Sequence, residues 1–169
     1  MDMHLMNTIA VWSTTALVLA ATVTDLRSRR IPNVLVLPFL VLGLLAAAVA
    51  HGWSGLGQSL LGVFLAVAVL GLFCFLGGMG MGDLKLCAAV GAWIGPSQLL
   101  VALVMTSLIG GVMALVWAIT GGFLYELLRG TAGLVVGRRK GLTLANAAAR
   151  KMPYAPAIAL GTILSFLGR

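Results

Sequence analysis

Residues 58–95 read QSLLGVFLAVAVLGLFCFLGGMGMGDLKLCAAVGAWIG, and two features of this stretch decide the fold. Residues 58–77 form an apolar run near the length that crosses about 30 Å of hydrocarbon as an α-helix. The glycine-rich Gly77-Gly78-Met79-Gly80-Met81-Gly82-Asp83 then interrupts it, and a second run of about 84–95 stops near Gly95-Pro96. From Asp83 to Ile94 there are twelve residues, only about 18 Å of helix at 1.5 Å per residue. A helix that short does not cross the hydrocarbon. Either it begins earlier, despite its glycines, or the glycine turn lies below the headgroups. A turn at that depth is tolerated where it is buried in protein or lines a wet cavity.

The pattern extends outward on both sides. Apolar runs at about 5–24 and 34–50 are joined by DLRSRRIPN, and the short loop HGWSGLG leads from 34–50 into 58–77. A run at about 98–123, a polar and basic stretch at 124–152, and a last run at about 153–168 follow. These runs predict an all-α, polytopic integral membrane protein with about six transmembrane helices, a single domain over 1–169 that carries 124–152 as a basic cytoplasmic loop. Ten-residue alternating segments, the mark of a membrane β-barrel, are absent. The first run is longer than a signal core, and no Lys or Arg precedes Arg27. It is therefore expected to be a retained helix.

Composition supports the lipid reading. The chain has 169 residues, 61% hydrophobic and 9% charged, against about 25% charged in soluble domains. Mean hydropathy is +1.11. Fifteen charges do not coat a soluble domain of this size, which excludes a water-soluble enzyme or a free nucleic-acid-binding domain. The net charge of +7 lies between apolar runs, where cations set orientation and meet anionic headgroups. Membrane lipid, not nucleic acid, is the expected partner.

Arg27, Arg29 and Arg30 separate runs one and two, and Lys85 separates three and four. Arg129, Arg138, Arg139, Lys140, Arg150 and Lys151 separate five and six, leaving Arg169 as the exception, while 51–57 and 95–97 carry no cation. The excess of cations on cytoplasmic loops then puts the three basic loops inside and both termini outside. The chain is expected to cross its membrane several times. Cys74 and Cys87 form no CxxC pair and read as buried free thiols. No cluster has metal-ligand spacing, so neither metal nor cofactor is expected. His51 reads as an outer loop residue, and nothing specifies an oligomeric state.

The four acids narrow the chemistry. Asp2 lies at the outside terminus, and Glu126 sits in the basic stretch three residues before Arg129, a plausible surface pair. Asp25 ends the first run and Asp83 begins the fourth, both on the cytoplasmic side by the charge pattern. Membrane-edge carboxylates are costly and mark candidate functional sites. Two of them together in a partly dry cavity do not both ionise easily and share a proton. Aspartic proteases work in this way, one carboxylate activating water while the other polarises the scissile carbonyl. The plainer alternative is that Asp25 pairs with the arginines and Asp83 caps a helix. The preceding glycines, which permit close backbone approach, favour the functional reading.

At these residues the chain resembles the type IV prepilin peptidases, which are GxGD membrane aspartyl proteases. Gly80-Met81-Gly82-Asp83 matches the GxGD motif, and Leu84-Lys85-Leu86 looks like its prepilin peptidase continuation. Asp25-Leu26-Arg27-Ser28-Arg29-Arg30-Ile31-Pro32-Asn33 is similar to the family's first-aspartate segment with its downstream IPN. Lys151-Met152-Pro153-Tyr154-Ala155-Pro156 resembles its proline-aromatic-small-proline segment, with alanine at 155 where glycine is frequent. The resemblance implies an endopeptidase that removes the leader of type IV prepilins or pseudopilins at the cytoplasmic face of a bacterial inner (cytoplasmic) membrane. The cysteine-bearing insertion linked to N-methylation is missing, so it implies the short form associated with tight-adherence (Tad, Flp-type) pili.

Asp25 and Asp83 are the expected catalytic pair. Gly80 and Gly82 are expected to shape the turn that presents Asp83. Lys85 contacts substrate or snorkels to the interface. Pro153 and Pro156 break the start of the last helix near the pair, or simply begin it. Tyr154 hydrogen-bonds in the cavity or sits in the interfacial belt. Residues 142–150 either hold the cytoplasmic leaflet or form an interfacial helix that guides substrate. The competing function is a small proton- or cation-coupled transporter or channel subunit using Asp25 and Asp83 at a broken helix, but the two halves show no convincing repeat.

Overall fold

The computed structural model describes residues 3–75, 79–120 and 154–167, and among them the regular elements are all α-helix, with no strand. They form α1 (Met3–Ser28), α2 (Asn33–Phe75), α3 (Met81–Thr120) and α4 (Ala155–Leu167). Three of these helices, α1, α2 and α3, are long and apolar enough to cross a membrane. The chain is an all-α membrane protein. Its outward surface fits a lipid solvent, with Trp12, Val34, Trp53, Phe64 and Phe75 all exposed.

At 43 residues, a straight α2 would measure about 65 Å, twice the hydrocarbon thickness. It is not straight. Gly52 has φ 61° and ψ −142°, and Gly95 in α3 has φ 71° and ψ 176°, conformations that only glycine adopts at little cost. The chain doubles back at both. A Cβ on Gly55 would strike the Ala47 carbonyl, eight residues earlier, and one on Gly91 would lie 2.9 Å from the Leu99 side chain. Each long helix is thus two arms, 33–51 with 53–75, and 81–94 with 96–120. The loop expected at 51–57 contracts to Gly52, with helix on either side. Pro96 follows the second break, where a helix start loses nothing by lacking an N–H.

The arm 81–94 is the centre of the molecule. Residues 86–92 are all buried, which means neighbours cover it on every side. Small residues make this possible. Gly62 lies against the Gly91 carbonyl, and Gly43 packs on Trp93 and Ala92. Ser59 Oγ donates to the Ala92 carbonyl at 2.5 Å, and Trp93 Nε1 donates to the Phe39 carbonyl at 2.8 Å. α4 packs along the second arm of α3, with Gly161 against Thr106 and Gln98 Nε2 donating to the Ser165 carbonyl.

These contacts define two ends. The elbow end gathers the start of α1, Gly55 beside the α2 break, Gly95 and the end of α4 around one cavity. The other end gathers the close of α1, both termini of α2 and the starts of α3 and α4.

Candidate active site

The site is built where the first helix stops. Arg29 takes a left-handed φ of 51°, its N–H donating to the Asp25 carbonyl at 2.7 Å. Pro32 then starts α2, accepting from the N–H groups of Leu35 and Val36. α1 runs one turn past Asp25, to Ser28. Leu26, Arg27 and Ser28 are exposed, but the Asp25 side chain turns inward and is 7% exposed. Its Oδ2 accepts the backbone N–H of Ala155 at 3.3 Å. Ala155 is the first residue of α4, so this carboxylate satisfies one of the N–H groups that a helix start leaves unpaired and meets the positive end of the helix dipole.

Asp83 stands in the first turn of α3. Its N–H donates to the Gly80 carbonyl at 3.2 Å, and its carboxylate lies beside Gly80. The helix starts at Met81, three residues before the apolar run at about 84–95, and Gly80 is the turn that starts it. A Cβ on Gly80 would sit 3.2 Å from Asp83 Oδ2, and one on Gly82 would sit 3.3 Å from the Ile31 Cβ. The first glycine leaves room for the carboxylate. The second leaves room for the link between α1 and α2.

Asp25 and Asp83 come within electrostatic reach of each other. Cys74, Cys87 and Tyr154 also feel Asp83. Both thiols are free, Cys87 buried and Cys74 half-buried, with Cys74 Sγ 3.6 Å from the Gly80 carbonyl as a weak donor. Tyr154 is half-buried. Its carbonyl accepts from Ala157 and Ile158 at the start of α4, and its ring fills the space beside Gly110. Pro156 lies in the first turn of α4, half-buried. Lys85 Nζ donates to Asn33 Oδ1 at 3.0 Å. The sequence does not single out Asn33 as a site residue, even within its IPN segment, because a contact across 52 positions leaves no local pattern.

Pro153, the basic stretch 124–152 with Glu126 and Arg129, and Asp2 lie outside the described residues. His51 is exposed at the elbow end, far from the pair along the helices. Among the described residues no three His, Cys, Asp or Glu side chains cluster as a metal site would.

The fold and these carboxylates define a membrane-integral protein with paired acids at one end of a helical bundle. Residues 12–115, which include Asp25, Gly80, Gly82, Asp83 and Lys85, match the type IV leader peptidase family, and the chain belongs to it. It is 32% identical over 155 residues to the prepilin leader peptidase/N-methyltransferase of Bacillus subtilis, covering 90% of this chain and 52% of that one. It is 38% identical over 102 residues to the protein of that name from Escherichia coli, covering 56% and 44%. For Neisseria gonorrhoeae the identity is 36% over 115 residues, covering 64% and 40%. The chain spans about half or less of the length of these relatives. No solved structure matches it. The apolar helices and these bacterial relatives together make it an integral protein of a bacterial inner membrane.

Proposed function

We propose that the chain is an aspartic endopeptidase that removes the leader of type IV, Flp-type prepilins at the cytoplasmic face of the membrane. Asp25 and Asp83 are its catalytic pair. The observation that carries this reading is that two carboxylates 58 positions apart lie within electrostatic reach of each other in a chain of the leader peptidase family. The cytoplasmic assignment rests on the basic residues Arg27, Arg29, Arg30 and Lys85 grouped at the same end.

The chemistry follows from two carboxylates that share a proton. One takes a proton from a water molecule as its oxygen bonds to the scissile carbonyl carbon. The other, protonated, hydrogen-bonds the carbonyl oxygen as negative charge develops there. Collapse of the tetrahedral intermediate breaks the C–N bond, and the departing nitrogen takes up the proton. The leader leaves with a new carboxylate and the pilin with a new amine. The pair needs no group beyond water. Gly80 is exposed and open enough for an extended substrate backbone to approach, while Lys85, Tyr154 and Pro156 shape the surroundings.

A substrate for such a site is a membrane helix whose basic leader stays inside. Its cleavage segment is extended, and small residues precede the cut. The test is to reconstitute the purified chain with a prepilin in one bilayer and sequence the N-terminus of the product. Cleavage directly after a small residue supports the reading. A leader left intact contradicts it and favours the transporter alternative. Equal cutting after bulky β-branched residues contradicts the narrow approach past the glycines.

A further inference from the structure

The two aspartates sit on helices, α1 and α3, that touch each other but pack mainly on other partners. α1 packs chiefly on α4, and α2 chiefly on α3. Besides the α1–α3 contact and α4, which packs on both helices, the link of residues 29–32 with Asn33 after it runs from the Asp25 helix onto the Asp83 turn. Both contacts of this link fall on the first turn of α3. Ile31 lies against Gly82, so close that a Cβ there would be 3.3 Å from its own. Asn33 Oδ1 accepts from Lys85 Nζ at 3.0 Å. One contact is a residue before Asp83 and the other two residues after it, while the link itself begins one turn after Asp25.

We infer that Asn33 is a positioning residue, which with Ile31 and Lys85 clamps the α1–α2 link onto the Asp83 turn and keeps the two carboxylates in register. The inference rests on the peptidase reading above. A lysine that merely snorkelled would extend its amine to water, whereas Lys85 reaches sideways to a neutral acceptor on another helix. The hydrogen bond is charge-assisted and directional. Paired acid and base chemistry tolerates about 0.5 Å of misplacement, and a shift of 1 Å costs up to about 10²-fold in rate. A clamp adjacent to both carboxylates is therefore worth far more to the reaction than to the fold. Lys85 on this account serves the geometry of the pair and does not bind substrate.

The experiment is a double-mutant cycle on the full chain, co-reconstituted with a prepilin, reading kcat and KM separately. Asn33→Ala and Lys85→Ala should each lower kcat by about tenfold, with KM within about twofold of wild type. The double substitution should fall no further than the worse single, because losing either partner opens the clamp. Asn33→Asp, of the same length and still an acceptor, should restore kcat to within about threefold of wild type. If Asn33→Ala does not accumulate, Lys85→Met keeps the apolar stem and carries the same test. Losses that multiply in the double, or that fall on KM, would overturn the clamp by making Lys85 an independent substrate contact. A wild type that cuts, with Asn33→Ala equal to it, overturns the clamp alone. A wild type that leaves the leader attached overturns the peptidase reading and the clamp together.

Discussion

The elbow end and the aspartate end are made by the same device, a glycine break between apolar helices, but they finish it differently. At the elbows, Gly52 is followed by Trp53 and Ser54, and Gly95 by Pro96 and Ser97. These breaks reverse the chain and leave a cavity of about 350 Å³, whose polar lining includes Asn7, His51, Gln58 and Ser97. At the other end the break at Gly80 leads within three residues to Asp83. A second acid on α1 lies within its electrostatic reach, and the start of α4 supplies that acid with an N–H. A glycine break makes a turn wherever it falls. On the proposed reading, it makes a site only where the turn delivers a carboxylate within reach of a second one.

If that contrast is right, substitutions at the two ends separate chemistry from stability. Asp25→Asn and Asp83→Asn should each reduce kcat by about 10³-fold or more, while the unfolding temperature in detergent moves by only a few degrees. The amide still offers Ala155 an acceptor. His51→Gln should keep the rate within about twofold, and a large loss there would erase the distinction between the ends. Gly62→Ala should do the reverse. Its Cβ would meet the carbonyl oxygen and carbon of Gly91, backbone atoms that do not move aside cheaply. A cost of about 2–3 kcal/mol should lower the unfolding temperature by roughly 5–10 °C, with the rate per folded molecule preserved.

Gly95→Ala should be milder, since nothing lies within 4 Å of the added Cβ. Only the backbone strain at φ 71° remains, about 1–2 kcal/mol. Gly57→Ala should have the smallest effect and the opposite sign. It lies within a helical arm with open space around it, so the gain in helix propensity should stabilise by up to about 1 kcal/mol. Thermal unfolding in one detergent orders all three, and a destabilising Gly57→Ala would refute the separation of strain from crowding.

Much of this is legible in the sequence because lipid imposes a simple code. Run lengths locate the helices, Gly95-Pro96 marks one elbow, and two acids at run ends mark the site. Other features are not legible. HGWSGLG has the composition of a loop, yet it is helix on either side of Gly52, because tertiary packing overrides the low propensity of glycine and serine. The two aspartates are readable one by one, but what brings them within reach of each other is the packing of α1 against α3 and α4, which has no local signature. The Ala155 bond to Asp25 joins positions 130 apart, and Lys85 to Asn33 joins positions 52 apart. Patterns of period 3.6 carry no information at that range. Resemblance singles out Gly82, whereas its reason for being small, the Ile31 side chain, emerges only from the fold.

The central claim is that Asp25 and Asp83 act as one unit, and the most direct measurement compares the two single Asp→Asn variants with the double. Long single-turnover incubations of each, reconstituted with a prepilin, give the residual cleavage rate. Groups that act as a unit are non-additive, so the double should fall no further than the lower of the singles. Either single retaining a tenth or more of the wild-type rate, or a double in which the two losses multiply, would contradict a shared site.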